Sequence, residues 1–341
     1  MKHWYVTAPR VLEMTDEEVP LPGDGEVLIR MRYTALSPGS NLHVYLHGAY
    51  GDAATPSPVD IVYMGSGEIA DVGSGVSRDR IGERVAFNGL GHQEFGVLPS
   101  RLAHTIPDGV PLDAASLAYL PAWAVSALHL GSYAAAETVA VVGLGLVGAS
   151  AALVSDAMGA RVLALDVDEQ RRTLATRLAL GQVGNPLELD RDRQMQEFLA
   201  DGGADLIIET SGNWAGFRTA MSLARDYSRI ALMGIYRDPP PSDMMPDLHR
   251  EIFGFPSKMH YQRIQIIGCG SDPDSIAEPT SRNATRGKNF RWVLEQAGRG
   301  RLDLASLVTS IVPANQVESE LSRLATGDKS HLGIVFDWSS Q

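Results

Sequence analysis

The feature that most constrains this chain is the hexapeptide Gly143-Leu144-Gly145-Leu146-Val147-Gly148, set between two apolar runs. The run before it, Val139-Ala140-Val141-Val142, has no polar position. It is too short for a helix, so it reads as a strand buried on both faces. Residues 148–158 are Ala-rich and read as a helix whose small residues permit close packing. A second apolar run, Val162-Leu163-Ala164-Leu165, ends in Asp166. Strand, glycine turn, helix, strand and acid, in that order and spacing, point to a dinucleotide site. Gly143 permits the tight turn, Gly145 leaves room for a pyrophosphate, and Gly148 lets the helix press on the strand. The helix N-terminus favours phosphate charge, and Leu146 and Val147 of the hexapeptide are expected to belong to the cofactor site.

Asp166 is expected to accept hydrogen bonds from the adenosine ribose, with Val167 and Arg171 beside it. A ribose 2′-phosphate would meet that carboxylate and be repelled, so NAD is expected over NADP. Arg171 and Arg172 are the cations that would counter the repulsion. Further strands are expected at 204–209, 229–233 and 264–268, continuing a βαβ series and hence a parallel sheet covered by helices. Ser211, Gly212 and Gly234 follow two of these strands at their carboxyl ends, where ligands bind in open α/β sheets.

The 110 or so residues before this series differ in character. Short strands such as 26–33 alternate with turns, and Gly65, Gly67, Gly73 and Gly75 punctuate them, which indicates a compact β-rich domain. The helical region starts near 112, and a polar stretch follows 270. Near the end, Leu332-Gly333-Ile334-Val335-Phe336-Asp337-Trp338 is a strand signature. Periodicity does not decide which sheet that strand joins.

Composition narrows the class. The 341 residues carry a formal net charge of −12 and show no basic stripe, so neither nucleic acid nor an anionic membrane is expected as a partner. The single cysteine, Cys269, can form neither an internal disulfide nor a multi-thiolate metal cluster, and is expected to be buried. No signal-peptide core and no membrane-length apolar run is present. A cytoplasmic enzyme acting on a small-molecule substrate is expected.

With these segments in place the whole chain resembles the medium-chain dehydrogenase/reductase superfamily. The resemblance rests on Gly39-Ser40-Asn41-Leu42-His43, the glycine hexapeptide, Glu209-Thr210-Ser211-Gly212, and the tail from Lys329 to Asp337. It implies an α/β protein with a GroES-like β-rich catalytic domain plus a Rossmann doubly wound parallel-sheet domain. The expected division is 1–116, 117–270 and 271–341, the last part completing the catalytic domain. The resemblance also implies a homodimer or homotetramer.

The chain departs from the zinc alcohol dehydrogenases of that superfamily at each catalytic zinc ligand. Pro38, Tyr63 and Ala122 stand where the ligands would be, and Met64 replaces a neighbouring Glu. Proline and alanine have no side-chain donor, and tyrosine is an uncommon zinc ligand. The four-cysteine structural zinc loop is missing as well. No metal site is expected, and the pattern around 37–40 and Tyr63 is similar to the zinc-lacking branch that includes bacteriochlorophyllide-type and zinc-independent alcohol dehydrogenases.

Hydride transfer at a carbonyl carbon needs a proton partner at the oxygen. By resemblance, Ser40 and His43 match a hydroxyl–imidazole relay. Tyr63, at the lost ligand position, is a candidate donor. Against this, Ser40 could simply cap a helix with Asn41, and Tyr63 could simply pack. His92, in the polar loop 88–94, is a second candidate, as a pocket wall or on a surface hairpin. Tyr119, Trp123 and Met64 are candidates for an apolar substrate pocket. Arg282, Arg286 and Lys288 form a modestly basic stretch that reads first as solvated linker. The expected reaction is hydride transfer between NAD and a secondary alcohol or ketone, the substrate being a polyol or specialised metabolite. Two alternatives stand beside it: an enoyl or quinone reductase of the same superfamily, and a cofactor-binding protein without turnover.

Overall fold

The computed structural model describes residues 1–48, 58–189, 191–200, 202–254, 256–270 and 286–339. The chain divides into two units, Met1–Tyr119 with Gly287–Gln341, and Leu120–Arg286. The expected cuts fell after 116 and after 270; the observed ones follow Tyr119 and Arg286.

In the second unit six parallel strands lie in the order Gln182–Gly184, Arg161–Leu165, Thr138–Val142, Ala204–Glu209, Ala224–Leu232, Gln265–Gly268. All five residues of Thr138–Val142 are buried, the last four of them apolar, as a central strand covered on both faces requires. Val141 pairs with Ala164 on one side and Ile208 on the other. The chain builds outward from Thr138–Val142 in one direction, then returns and builds in the other. A crevice therefore opens at the carboxyl ends of Thr138–Val142 and Ala204–Glu209, the topological switch point of a doubly wound sheet. The helix Trp214–Leu223 closes one face by packing Phe217, Ala220 and Met221 with Ile207 and Ile230. Fully burying such a side chain contributes about 1.5–3 kcal/mol, so this layer is held by its apolar face.

In the first unit the central strand is Glu26–Leu36, eleven residues long. It pairs antiparallel with Met64–Val72, Phe95–Pro99 and the C-terminal strand Gly333–Asp337. The last strand thus joins the N-terminal sheet, with Val335 opposite Ala35. Ile29, Ile69, Phe87 and Phe336, from four different strands, meet in one core. A second sheet is built on Lys2–Ala8, which pairs with Val11–Asp16, Val59–Asp60 and His92–Gln93.

Two element boundaries differ from expectation. The helix expected over 148–158 begins at Leu146, one residue after the glycine turn closes. The strand expected over 229–233 runs Ala224–Leu232, because its irregular first half, with Tyr227 at φ +66°, shows no period-2 pattern in the sequence. Among the described residues no helix is long and apolar enough to cross a membrane.

Candidate functional site

The glycine turn has the backbone geometry that a phosphate cradle requires. Gly143 holds φ +93°, a left-handed conformation that glycine adopts without cost. A Cβ at Gly148 would lie 1.8 Å from the Gly143 carbonyl oxygen, so the helix can lie this close only with glycine there. A Cβ at Gly145 would meet nothing within 4 Å; this face of the turn is open. The helix Leu146–Ala157 has Gly145 as its N-cap, and the first N–H groups of a helix have no partner within it, which favours an anion there. Leu146 is buried and Val147 half-buried, so only their backbone serves a ligand. Thr210 braces the turn, its hydroxyl donating to the carbonyls of Gly143 (2.8 Å) and Val142 (3.1 Å).

Asp166 stands at the end of the neighbouring strand. Its carboxylate accepts from the Leu144 N–H at 2.7 Å and from the Asp168 N–H at 2.8 Å, which turns it toward the glycine loop. Val167 is exposed beside it. The Arg171 backbone N–H donates to Asp168, the N-cap of the next helix. The Arg172 guanidinium donates to the carbonyls of Asp166 (2.9 Å) and Val167 (2.7 Å).

On the other side of the turn lies Glu209, which the sequence reading did not single out as a site residue. It is fully buried, yet among the described residues it bonds no cation. Its carboxylate accepts from the Ser211 N–H (2.8 Å), the Ser211 hydroxyl, the Gly212 N–H (3.3 Å) and the Tyr236 hydroxyl (2.7 Å). Burial first, and then the Glu209 charge, push the Tyr236 phenol well above its ordinary range, so it remains a proton-bearing donor. The signal available in sequence was an acid ending the otherwise apolar run Leu206-Ile207-Ile208.

In the first unit the strand register gathers the proton-handling candidates. Ala35 faces Met64, so the strand ends carry 36–40 and Tyr63 to one edge of the sheet. Tyr63 is half-buried; its ring meets Tyr119 edge-on at 5.7 Å, and its carbonyl accepts from the Gly89 N–H. Val62, immediately before it, holds φ +70°, an unfavourable conformation for a β-branched residue. Ser40 and His43 lie three residues apart on the helix Pro38–His47, hence on one face. The helix is capped at Ser37, whose N–H donates to the Asn41 side chain at 2.7 Å, so Ser40 is not its cap. Met64 is fully buried, and the Trp123 indole N–H donates to the carbonyls of Cys269 and Gly270. Cys269 is buried. Arg282 lies outside the described residues.

Two family models match the chain: an alcohol dehydrogenase GroES-like domain over residues 23–107 and a zinc-binding dehydrogenase over residues 143–269. L-threonine 3-dehydrogenase of Proteus mirabilis is 31% identical over 356 residues, covering 95% of this chain and 96% of that protein. The chain belongs to the medium-chain, zinc-binding alcohol dehydrogenase superfamily. Its fold matches 2R,3R-butanediol dehydrogenase of Bacillus subtilis with a TM-score of 0.80, at 19% identity over 98% of this chain and 99% of that one. It also matches an alcohol dehydrogenase of Escherichia coli CFT073 in complex with NADH, with a TM-score of 0.77 and 21% identity over 99% of both chains. The chain is an oxidoreductase, a dehydrogenase acting on CH–OH groups with NAD(P).

Within that superfamily the position of His92 is a correction. It lies neither on a surface hairpin nor in a pocket wall, but in the core of the first unit at 0% exposure. Its Nε2–H donates to the Ala314 carbonyl (2.8 Å), which leaves Nδ1 to accept from the Thr34 hydroxyl (2.7 Å), and Phe336 and Trp338 pack on the ring. With both nitrogens occupied it has nothing to offer a substrate. The loop's polar composition concealed this, because the partners come from strands and turns distant in sequence. Burial depresses the His92 pKa from 6.5 to about 3, while the Ala314 hydrogen bond opposes the shift and His3 adds to it. A depressed histidine is neutral in the fold and protonated in the unfolded chain between these values. Its contribution to stability is therefore intact above pH 6.5 and is lost as pH falls toward 3, by up to about 1.4 kcal/mol per pH unit. Nitrogen NMR is expected to find the His92 ring in its neutral Nε2–H form at pH 5; protonation near pH 6.5 would contradict the burial.

Pro38, Tyr63 and Ala122, which the resemblance aligns with zinc ligands, offer no thiolate, imidazole or carboxylate. Pro38 is the first residue of its helix, and Ala122 is a buried methyl on the helix Tyr119–Leu130. Among the described residues no three of His, Cys, Asp and Glu stand together as a metal would require. The glycine turn places the glycines, a helix N-terminus and the Asp166 carboxylate side by side, the groups a dinucleotide site uses.

Proposed function

We propose that this protein is a zinc-independent, NAD-dependent dehydrogenase that moves a hydride between nicotinamide and a secondary alcohol or ketone. The substrate class is a polyol or specialised metabolite, and the protein belongs to the superfamily branch that resembles bacteriochlorophyllide-type dehydrogenases. The observation that carries this reading is Tyr63. Its hydroxyl-bearing ring stands where the strands ending at Leu36 and starting at Met64 meet, and the resemblance aligns it with a metal ligand of zinc relatives. NAD supplies the hydride acceptor. In alcohol oxidation the carbinol C–H electrons leave as hydride while the hydroxyl proton passes to the protein; reduction reverses both transfers. Tyr63, or the relay of Ser40 to His43, holds that proton at the substrate oxygen. Neutral donors stabilise the developing oxyanion in place of a Lewis acid.

Preference for NAD rests on Asp166, and Arg172 supports it: its guanidinium is engaged by two backbone carbonyls. By superfamily membership the protein is a cytoplasmic homodimer or homotetramer. The deciding experiment measures zinc content and NADH formation together, on a panel of secondary alcohols and polyols before and after chelation. Turnover is expected to persist at sub-stoichiometric zinc, with NAD preferred over NADP by roughly tenfold or more. Stoichiometric zinc whose removal stops turnover would refute zinc independence, and a preference for NADP would refute the Asp166 argument. Activity on conjugated alkenes alone would reassign the protein as an enoyl or quinone reductase.

A further inference from the structure

We propose that Glu209 is a positioning residue for the nicotinamide half of the cofactor. The inference rests on the reading above that NAD lies across the carboxyl ends of the second unit's sheet. Topology assigns the halves. With pyrophosphate at the turn after Thr138–Val142 and adenosine at Asp166, after Arg161–Leu165, the other half extends over Ala204–Glu209 and Ala224–Leu232. Those two strands end in the loops that Glu209 holds. Its backbone carbonyl accepts from Met233 and Gly234, and its carboxylate binds Ser211, Gly212 and Tyr236.

The space for the carboxylate is built in. A Cβ at Gly216 would come within 2.9 Å of one carboxylate oxygen, and a Cβ at Gly234 within 2.6 Å of the other. The Tyr236 ring is itself fixed against Trp214 (5.0 Å) and Phe217 (6.3 Å) on the following helix. A carboxylate buried without a cation is costly unless its oxygens are satisfied. Here the donors come from the loops themselves, so the charge makes two separate loops one rigid edge of the crevice. Ser211 also lies against Gly143 of the glycine turn, so a comparison of ligands with and without nicotinamide is what separates this role from adenosine and phosphate binding.

The test compares NADH with ADP-ribose, which carries the adenosine and pyrophosphate but no nicotinamide, by titration calorimetry on the full-length native chain, E209Q and Y236F. E209Q keeps the shape of the side chain, and the Tyr236 hydroxyl can turn to accept from its amide. It is expected to weaken NADH by about tenfold, the effect of losing one hydrogen bond to a charged group, and to leave ADP-ribose within about twofold. Y236F removes one bond to the same carboxylate and is expected to show the same split at smaller size; it serves alone if E209Q does not fold. Equal weakening of both ligands, or no weakening of NADH in either variant, would overturn the positioning role. Failure of the native chain to bind either ligand would instead overturn the cofactor reading on which it rests.

Discussion

Replacing Gly145 by valine is expected to weaken NADH binding by about 10²- to 10³-fold, the loss of one or two charge-assisted hydrogen bonds to phosphate, with little change in melting temperature. The backbone at Gly145 has φ −69° and ψ −175°, an extended conformation that valine adopts readily. Its Cβ would stand in open space, so the fold has no objection to the new side chain. That open space is where the pyrophosphate must come to reach the helix N–H groups. Valine would hold it away from them. Gly148→Ala is the informative contrast. Its methyl would lie 1.8 Å from the Gly143 oxygen and 2.8 Å from the Thr210 hydroxyl, so stability and binding should fall together. Fluorescence titration with NADH and a thermal melt on each variant separate the two effects. If the valine variant binds NADH like the native chain, the phosphate does not sit at this turn.

Tyr63→Phe is expected to lower kcat by about 10²- to 10⁴-fold, the usual range for loss of a general acid–base group, with NADH affinity unchanged. The substitution is selective. Phenylalanine keeps the edge-on contact with Tyr119, and the hydrogen bond from Gly89 goes to the backbone carbonyl, not the phenol. Only the hydroxyl is lost. Steady-state turnover on the best alcohol of the panel, with NADH affinity measured alongside, gives the result. Unchanged turnover removes Tyr63 from the chemistry and passes the proton to Ser40 and His43.

The glycine turn and its neighbouring acid were legible because they are local. Gly143, Gly145 and Gly148 act through the backbone within six residues, and Asp166 is one strand away, so each physical requirement shows as a residue type at a fixed spacing. Glu209 was visible as a motif member but not as a clamp. Its fourth donor, Tyr236, is 27 residues on and on another loop. His92 illustrates the opposite failure. Glycine and polar neighbours suggested an exposed loop, but Ala314 lies 222 residues away, and only the folded chain shows that both ring nitrogens are satisfied in the core.

What the sequence determined by itself is the βαβ order, the turn, and the residue types at Pro38, Tyr63 and Ala122, since local spacing and side-chain chemistry need no third dimension. The tertiary structure decided where the last strand goes, because a run such as Gly333–Asp337 is compatible with any unpaired sheet edge until its partner is known. Pairing with Glu26–Leu36 placed it in the N-terminal sheet. It decided also which polar residues are structural: burial and long-range hydrogen bonds, not composition, withdrew His92 from the chemistry and revealed Glu209 as the link between two loops.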